Sequence, residues 1–494
     1  MNHFDVLIVG AGLSGIGAAY HLKEKCPGRT YAILEGRDAI GGTWDLFRYP
    51  GIRSDSDMHT LSYNFKPWEE EKSIADGPSI WKYVNETADE NEIRQHIRFN
   101  HLVKDAKWST EEARWTVEAE SQGEFVQFTC NFLYMCSGYY NYDEGYTPEF
   151  DGINDFSGTL VHPQFWPEDL DYAGKRVIVI GSGATAMTLV PAMSEDVASI
   201  TMVQRSPTYV VSAPDKDKIA NTLRKFLPAK LAYNITRFKN ITLQGYMYNR
   251  TRVKPDKIKK LLLGMVRKEL GDDYDVDTHF TPSYNPWDQR LCLVPNSDLF
   301  QAIRSGKATV VTDQIDRFTE KGLRLQSGEE LEADIIITAT GLNLKLLGGV
   351  TVSVDNESVD FPGTFSYKGM MYSDVPNLVQ TFGYINASWT LRADLNAEYV
   401  CRLLNHMDKL GVRQCTPRLR GEDEHMTARP WIDDFSAGYM QRLMHLFPKQ
   451  GEGPWRNTQN YVLDKKVIRN APLEDGALIF GNPVVSAEKT RDAA

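Results

Sequence analysis

Two short glycine runs in this chain have the spacing that lets backbone amides close around a pyrophosphate. The first is Gly10-Ala-Gly12-Leu-Ser-Gly15, the second Gly181-Ser-Gly183-Ala-Thr185-Ala186. Residues this small permit a tight turn and bring N–H groups against phosphate oxygens at a helix N-terminus. Glu35 follows Gly15 by twenty residues, where a carboxylate accepts hydrogen bonds from ribose hydroxyls and repels a 2′-phosphate. The second run is followed instead by Arg205-Ser206, and a guanidinium can grip a 2′-phosphate bidentately. One dinucleotide without that phosphate and one with it, on a single chain, point to electron transfer between two bound nucleotides.

The elements needed to position these residues are present. Phe4–Val9 reads as a buried parallel strand, Ile16–Lys25 as the helix after the turn, and Tyr31–Leu34 as the strand ending at Glu35. Arg176–Ile180, Met187–Met193 and Ser199–Val203 repeat the pattern. A further glycine pair, Gly41-Gly42-Thr43-Trp44, resembles the flavoprotein pattern in which this loop lies along FAD. The expected cofactors are therefore FAD at Gly10, Gly12, Gly15, Glu35, Gly42, Thr43 and Trp44, and NADPH at Gly181, Gly183, Thr185, Ala186, Arg205 and Ser206. The fold expected is α/β, with two Rossmann-like dinucleotide-binding domains and a helical insertion. The FAD domain is discontinuous (1–145 and 334–494, the latter with the substrate-pocket region), and the NADPH domain (146–333) carries the insertion at 214–280.

Between the two units lies Phe156-Ser-Gly158-Thr-Leu-Val-His162-Pro-Gln-Phe-Trp166-Pro167. This FxGxxxHxxxWP segment resembles the fingerprint of the Baeyer–Villiger monooxygenases, matching at all five fixed positions: Phe156, Gly158, His162, Trp166 and Pro167. Cys136–Asp143, Trp287–Leu293 and Tyr384–Trp389 resemble the ethionamide-activating type of that family. The resemblance implies an FAD C4a-peroxide that inserts one atom of O2 into a ketone to give an ester or lactone, with sulfoxidation of sulfides or thioamides as a further capacity. It also implies that Arg290 lies over the flavin, that Asp55 pairs with it and borders the cofactor, and that His162 positions a linker without transferring protons. Members often carry Lys before the active-site Arg. Here Gln289 stands there, which shifts NADPH recognition onto Arg205 and Ser206. The alternative is an N- or S-oxygenating flavin-containing monooxygenase, against which the His162–Pro167 ending and Arg290 argue. A disulfide reductase would need a redox cysteine pair, and none of the six cysteines forms a CxxC. A flavin-binding interaction protein would need no second nucleotide site.

Composition sets the remaining bounds. The chain has 494 residues, is 42% hydrophobic and carries a net charge of −11, which excludes a disordered chain and argues against a nucleic-acid partner. No metal site is expected. The N-terminus lacks the basic and apolar regions of a signal peptide, and no apolar run is long enough to span a bilayer, so a cytoplasmic enzyme is expected. Lys216–Leu270 stands out, with fifteen Lys or Arg against three acids. Leu223, Phe226, Leu227, Leu231, Ile235 and Phe238 recur in it at helical spacing. The segment reads either as a helical cap over the substrate pocket or as a peripheral contact with an anionic membrane. The residues expected around the substrate include Trp389, Leu391, Trp431 and Tyr439.

Overall fold

The computed structural model describes residues 2–483. Met1 and residues 484–494, included in the FAD-domain stretches above, lie outside the described residues.

Two sheets organise the chain. In the first, Asn2–Val9 pairs in parallel with Tyr31–Leu34 on one side and with Glu124–Met135 on the other. Val6–Val9 is buried on both faces, as a parallel strand covered by helices must be. Leu13–Lys25 is one of those helices and packs against Trp389–Leu410. Glu124–Met135 belongs to two layers. Its first half closes an antiparallel meander with Arg114–Ser121 and Leu102–Ser109, and its end pairs with Leu378–Gln380.

The second sheet is all parallel, in the order Ala308–Thr312, Ser199–Gln204, Arg176–Ile180, Ile335–Thr338, Thr159–Val161. This corrects the expected return of the chain to the first unit at 334. Ile335–Ile337 is an apolar run buried on both faces, and it takes the interior position beside Val177–Ile180. The chain crosses back only after Gly341, where Leu342–Leu344 pairs antiparallel with Tyr140–Gly145.

The insertion forms four helices: Lys218–Phe226, Ala229–Val253, Pro255–Leu270 and Val276–Phe280. Asp217 caps the first, accepting from the amides of Ile219 and Ala220. Gly271, at φ +88°, ends the third. Ala229–Val253 inverts ordinary amphipathic packing. Its buried face carries Tyr233, Thr236 and Arg237, whereas Leu231, Ile235, Phe238, Tyr246 and Val253 are exposed. Among the described residues no helix is long and apolar enough to cross a membrane, no His/Cys/Asp/Glu cluster could hold a metal, and all six cysteines are free and buried.

Candidate active site

Both glycine turns open into one cavity of about 980 Å³. Gly10 adopts φ +101° and Gly181 φ +131°. A side chain on Gly10 would strike the Cys136 carbonyl, and one on Gly181 the Ala339 carbonyl. Each turn is therefore pressed against the end of a neighbouring strand, and the amides of Gly10 and Gly181 donate to the Leu34 and Val203 carbonyls at the ends of the strands on the other side. Gly12, Gly42, Thr43, Trp44, Asp55, Gly183, Thr185, Arg205 and Ser206 line the same space. Gly15 and Ala186 do not line it. Gly15 packs beneath the Gly10 carbonyl, and Ala186 is fully buried behind its turn.

Glu35 is buried, and its two carboxylate oxygens accept from the amides of Ala11 (2.6 Å) and Arg37 (2.9 Å). Burial raises its pKa, while those two amides and Arg37 oppose the rise. A carboxylate has about four acceptor positions, so it retains capacity for ribose hydroxyls. At the other end Arg205 and Ser206 are exposed at the strand end, and Arg205 forms no ion pair among the described residues. The first turn thus offers buried acceptors and the second an uncommitted cation. These surroundings fit FAD at the first and a 2′-phosphorylated nucleotide at the second.

Arg290 and Asp55 meet in this cavity. Arg290 Nε donates to Asp55 Oδ2 at 2.8 Å, and Nη2 lies 2.6 Å from the same oxygen. The Asp55 carboxylate holds the guanidinium pKa well above its usual value, so the cation is permanent. About 35% of the Arg290 side chain remains open to the cavity, leaving N–H donors unused. Both residues sit on irregular backbone fixed from outside. The Asp55 loop is bound to the second unit by Arg53, which donates to Asp298 at 2.5 Å and to the Met187 carbonyl at 3.4 Å.

Sequence reasoning did not single out most of the surrounding aromatic wall. Tyr139 and Tyr140 share a 2.5 Å hydroxyl contact, Tyr139 stacks on Trp389 at 5.2 Å, and Tyr439 packs in the same apolar cluster. Arg442 also lines the cavity, its guanidinium 3.4 Å from the Tyr146 ring centre. The signal available in the sequence was the Tyr139-Tyr140 pair directly after the strand-end Gly138. Of the pocket residues expected from the C-terminal third, Trp389 and Tyr439 line the cavity. Leu391 and Trp431 are core residues, Trp431 stacking on Phe447.

Phe156, Gly158, His162, Trp166 and Pro167 stand away from the cavity wall. His162 Nε2 lies 3.3 Å from the Gly341 carbonyl and Nδ1 accepts from the Gln164 amide at 3.2 Å, which fixes an Nε2–H tautomer. Burial lowers its pKa. The ring presses on Gly145, where a Cβ would collide with it, so it clips together the two crossover strands. The pocket-cap reading of the insertion is overturned: no residue between Thr208 and Tyr284 lines the cavity, because the buried face of Ala229–Val253 packs on residues 57–62 instead.

The flavin-binding monooxygenase-like family model matches residues 5–414, spanning both turns and the Asp55–Arg290 pair. The chain belongs to this family. The FAD-containing monooxygenase EthA of Mycobacterium tuberculosis (strain CDC 1551 / Oshkosh) is 55% identical over 97% of this chain and 98% of its own. Among solved structures, oxidized steroid monooxygenase bound to NADP has a TM-score of 0.78 at 21% identity, covering 97% of this chain and all of that one. ε-Caprolactone-bound cyclohexanone monooxygenase has a TM-score of 0.75 at 19% identity, again over 97% of this chain and all of that one. The distant structures establish that this family member shares their fold.

Proposed function

We propose that the chain is an FAD- and NADPH-dependent Baeyer–Villiger monooxygenase that inserts one atom of O2 into a ketone to give an ester or lactone, and that also oxidises sulfides. Bound FAD, reduced by NADPH, supplies the electrons and the activated oxygen. The observation that carries the reading is a permanent cation, Arg290, fixed by Asp55 in the one cavity that joins both nucleotide turns.

The chain's own groups divide the work. The Gly10–Gly15 turn and Glu35 bind the flavin nucleotide, Gly42, Thr43 and Trp44 flank it, and Gly181–Ala186 with Arg205 and Ser206 bind NADPH. Arg290 has five N–H donors in a planar fork, of which those on Nε and Nη2 face Asp55. The rest remain available for negative charge developing on the substrate oxygen, a preorganised stabilisation of the oxyanion-hole type. Tyr139, Tyr140, Trp389 and Tyr439 exclude water around that charge and so strengthen its interaction with Arg290. His162, held neutral, fixes the crossover strands and exchanges no proton. Presenting matched ketones and sulfides with NADPH and identifying the products tests the reading. Esters from ketones are expected, and oxidation of sulfides or amines alone would favour the N- or S-oxygenating alternative.

The insertion supports a second reading, a cytoplasmic enzyme that meets an anionic membrane surface peripherally. Phe226 and Phe238 are 80% and 73% exposed. Leu231, Ile235, Phe238, Tyr246 and Val253 share an outward stripe free of acids. Lys218 and Lys225 on Lys218–Phe226, and Lys257 and Lys260 on Pro255–Leu270, the two helices that pack against this one, are exposed and form no ion pair among the described residues. Apolar side chains flanked by free cations suit an anionic lipid interface. The protein should float with phosphatidylserine-containing vesicles at low salt, stay behind with neutral ones, and be released by salt. Absence of binding at low salt would overturn this reading.

A further inference from the structure

One face of the insertion helix Ala229–Val253 reaches both loops of the Asp55–Arg290 pair. Arg237 Nη1 donates to the carbonyls of His59, Thr60 and Ser62 at 3.0, 3.2 and 3.0 Å. Asn240 and Gln244 donate to the two carboxylate oxygens of Asp57 at 2.8 and 2.7 Å, two residues beyond Asp55. At the other end, Arg252 Nη1 donates to Asp288 Oδ1 at 2.7 Å, two residues before Arg290. Its Nη2 donates to the carbonyls of Trp287 (3.0 Å) and Asp434 (2.6 Å).

The Arg252 end is the more constrained. Trp287 has φ +69°, a left-handed conformation that a bulky residue holds only when its surroundings enforce it. Arg252 holds its carbonyl, and Tyr248, one turn earlier on the helix, packs edge-on against its ring at 5.8 Å. The Asp288 carbonyl accepts from the amide and hydroxyl of Ser436 at 2.7 and 3.0 Å, which joins the Arg290 loop to the segment carrying Tyr439. Tyr248 also donates to Asp434 at 2.9 Å. The two carboxylates, Asp288 and Asp434, thus face one guanidinium, at 2.7 and 3.8 Å. Without that cation they repel, and the loops have reason to part.

We propose that Arg252 is a positioning residue for oxygenation: it touches no reacting atom, but its fork ties the Arg290 loop to the Tyr439 segment and so sets where the active-site cation stands. The proposal rests on the reading of Arg290 given above. Displacement by about 1 Å is enough to cost a factor near 10² in a step that depends on alignment. A point-charge ammonium cannot serve both loops as a planar fork does.

The test uses the FAD-loaded protein carrying Arg252→Met, Arg252→Lys or the control Arg250→Met. Arg250 lies on the same helix over the Tyr246 ring at 5.9 Å. Two readouts are compared: hydrogen exchange of residues 285–290 and 434–439, and the share of consumed NADPH released as hydrogen peroxide. For Arg252→Met we expect exchange in both segments to rise about tenfold, with strands 2–9 and 176–180 unchanged and most NADPH diverted to peroxide. Arg252→Lys, which keeps charge and stem and serves if the Met variant does not fold, should move the same way by less, and Arg250→Met should match wild type. Unchanged exchange, or raised exchange with coupling intact, would overturn the proposal. Arg290→Ala run in parallel separates the layers. If it stays coupled, the Arg290 reading fails; if it uncouples while Arg252→Met does not, only the positioning role of Arg252 fails.

Discussion

Replacing Arg290 with alanine should separate consumption of NADPH from formation of product. In the native site the guanidinium is anchored by two contacts to a single oxygen of Asp55, while a third of the side chain faces the cavity. Its removal takes away a preorganised donor, which in comparable sites is worth ~3–4 kcal/mol, about 10²–10³ in rate. It also strands the Asp55 carboxylate, itself 25% exposed, as a lone negative charge beside the developing one. The two nucleotide turns are untouched, so NADPH should still bleach the flavin under anaerobic conditions, within about threefold of wild type. In air, nearly all NADPH should appear as hydrogen peroxide, assayed with peroxidase, and ester should fall by at least about 10². Asp55→Asn keeps an acceptor for Arg290 and loses the charge, so it should move in the same direction by about tenfold, ~1.4 kcal/mol. Because Asp55 acts through Arg290, the double variant Arg290→Ala/Asp55→Ala should be no worse than Arg290→Ala alone. Ester production by Arg290→Ala at more than a few per cent of wild type, or fully additive losses in the double variant, would exclude this role for Arg290.

Two further outcomes follow from the geometry. Arg205→Ala removes an exposed, unpaired guanidinium, so KM for NADPH should rise at least about tenfold while NADH kinetics barely change; equal losses with both nucleotides would contradict the assignment. His162 has a lowered pKa because burial disfavours its charged form. Its contribution to stability is therefore complete above the ordinary histidine value near 6.5 and declines as pH falls through that value toward the depressed one. His59, His96 and His279 are shifted in the same direction. His162→Gln, which keeps a donor for Gly341 without titrating, should accordingly lose less stability than wild type between pH about 7.5 and 5.5 in urea denaturation, and identical losses would exclude His162 as a contributor.

The parts of the molecule legible in the sequence are those governed by local backbone demands. Gly10 and Gly181 could be read because a positive φ and a close carbonyl exclude side chains there. Glu35 could be read because its place follows from the length of one strand–helix–strand unit. The Asp55–Arg290 contact spans 235 positions of chain, and no periodicity encodes such a pairing; it was reachable only through family resemblance. Ile335–Ile337 announced a doubly buried strand but not which sheet would take it, since the run satisfies either interior equally well. In the insertion, helical spacing of apolar residues was recognised, and the cap reading, though not the membrane one, would have buried them. The helix instead buries Arg237, Thr236 and Tyr233, because the carbonyls of residues 59–62 and the Asp57 carboxylate offer its polar face specific partners. Arg442 left no trace because it follows a short helix with no repeating pattern, whereas Tyr139 and Tyr140 were marked only by their place directly after Gly138.

In the proposed reaction one oxygen atom passes from O2 to a carbonyl substrate at the expense of one NADPH. This is tested most directly by turning over a ketone with NADPH under 18O2 and weighing the product by mass spectrometry. The expected product is an ester or lactone carrying a single heavy atom, formed in step with NADPH oxidation and abolished with Arg290→Ala. A product with no heavy atom, or NADPH oxidised with the ketone recovered unchanged across linear, cyclic and aryl substrates, would contradict it.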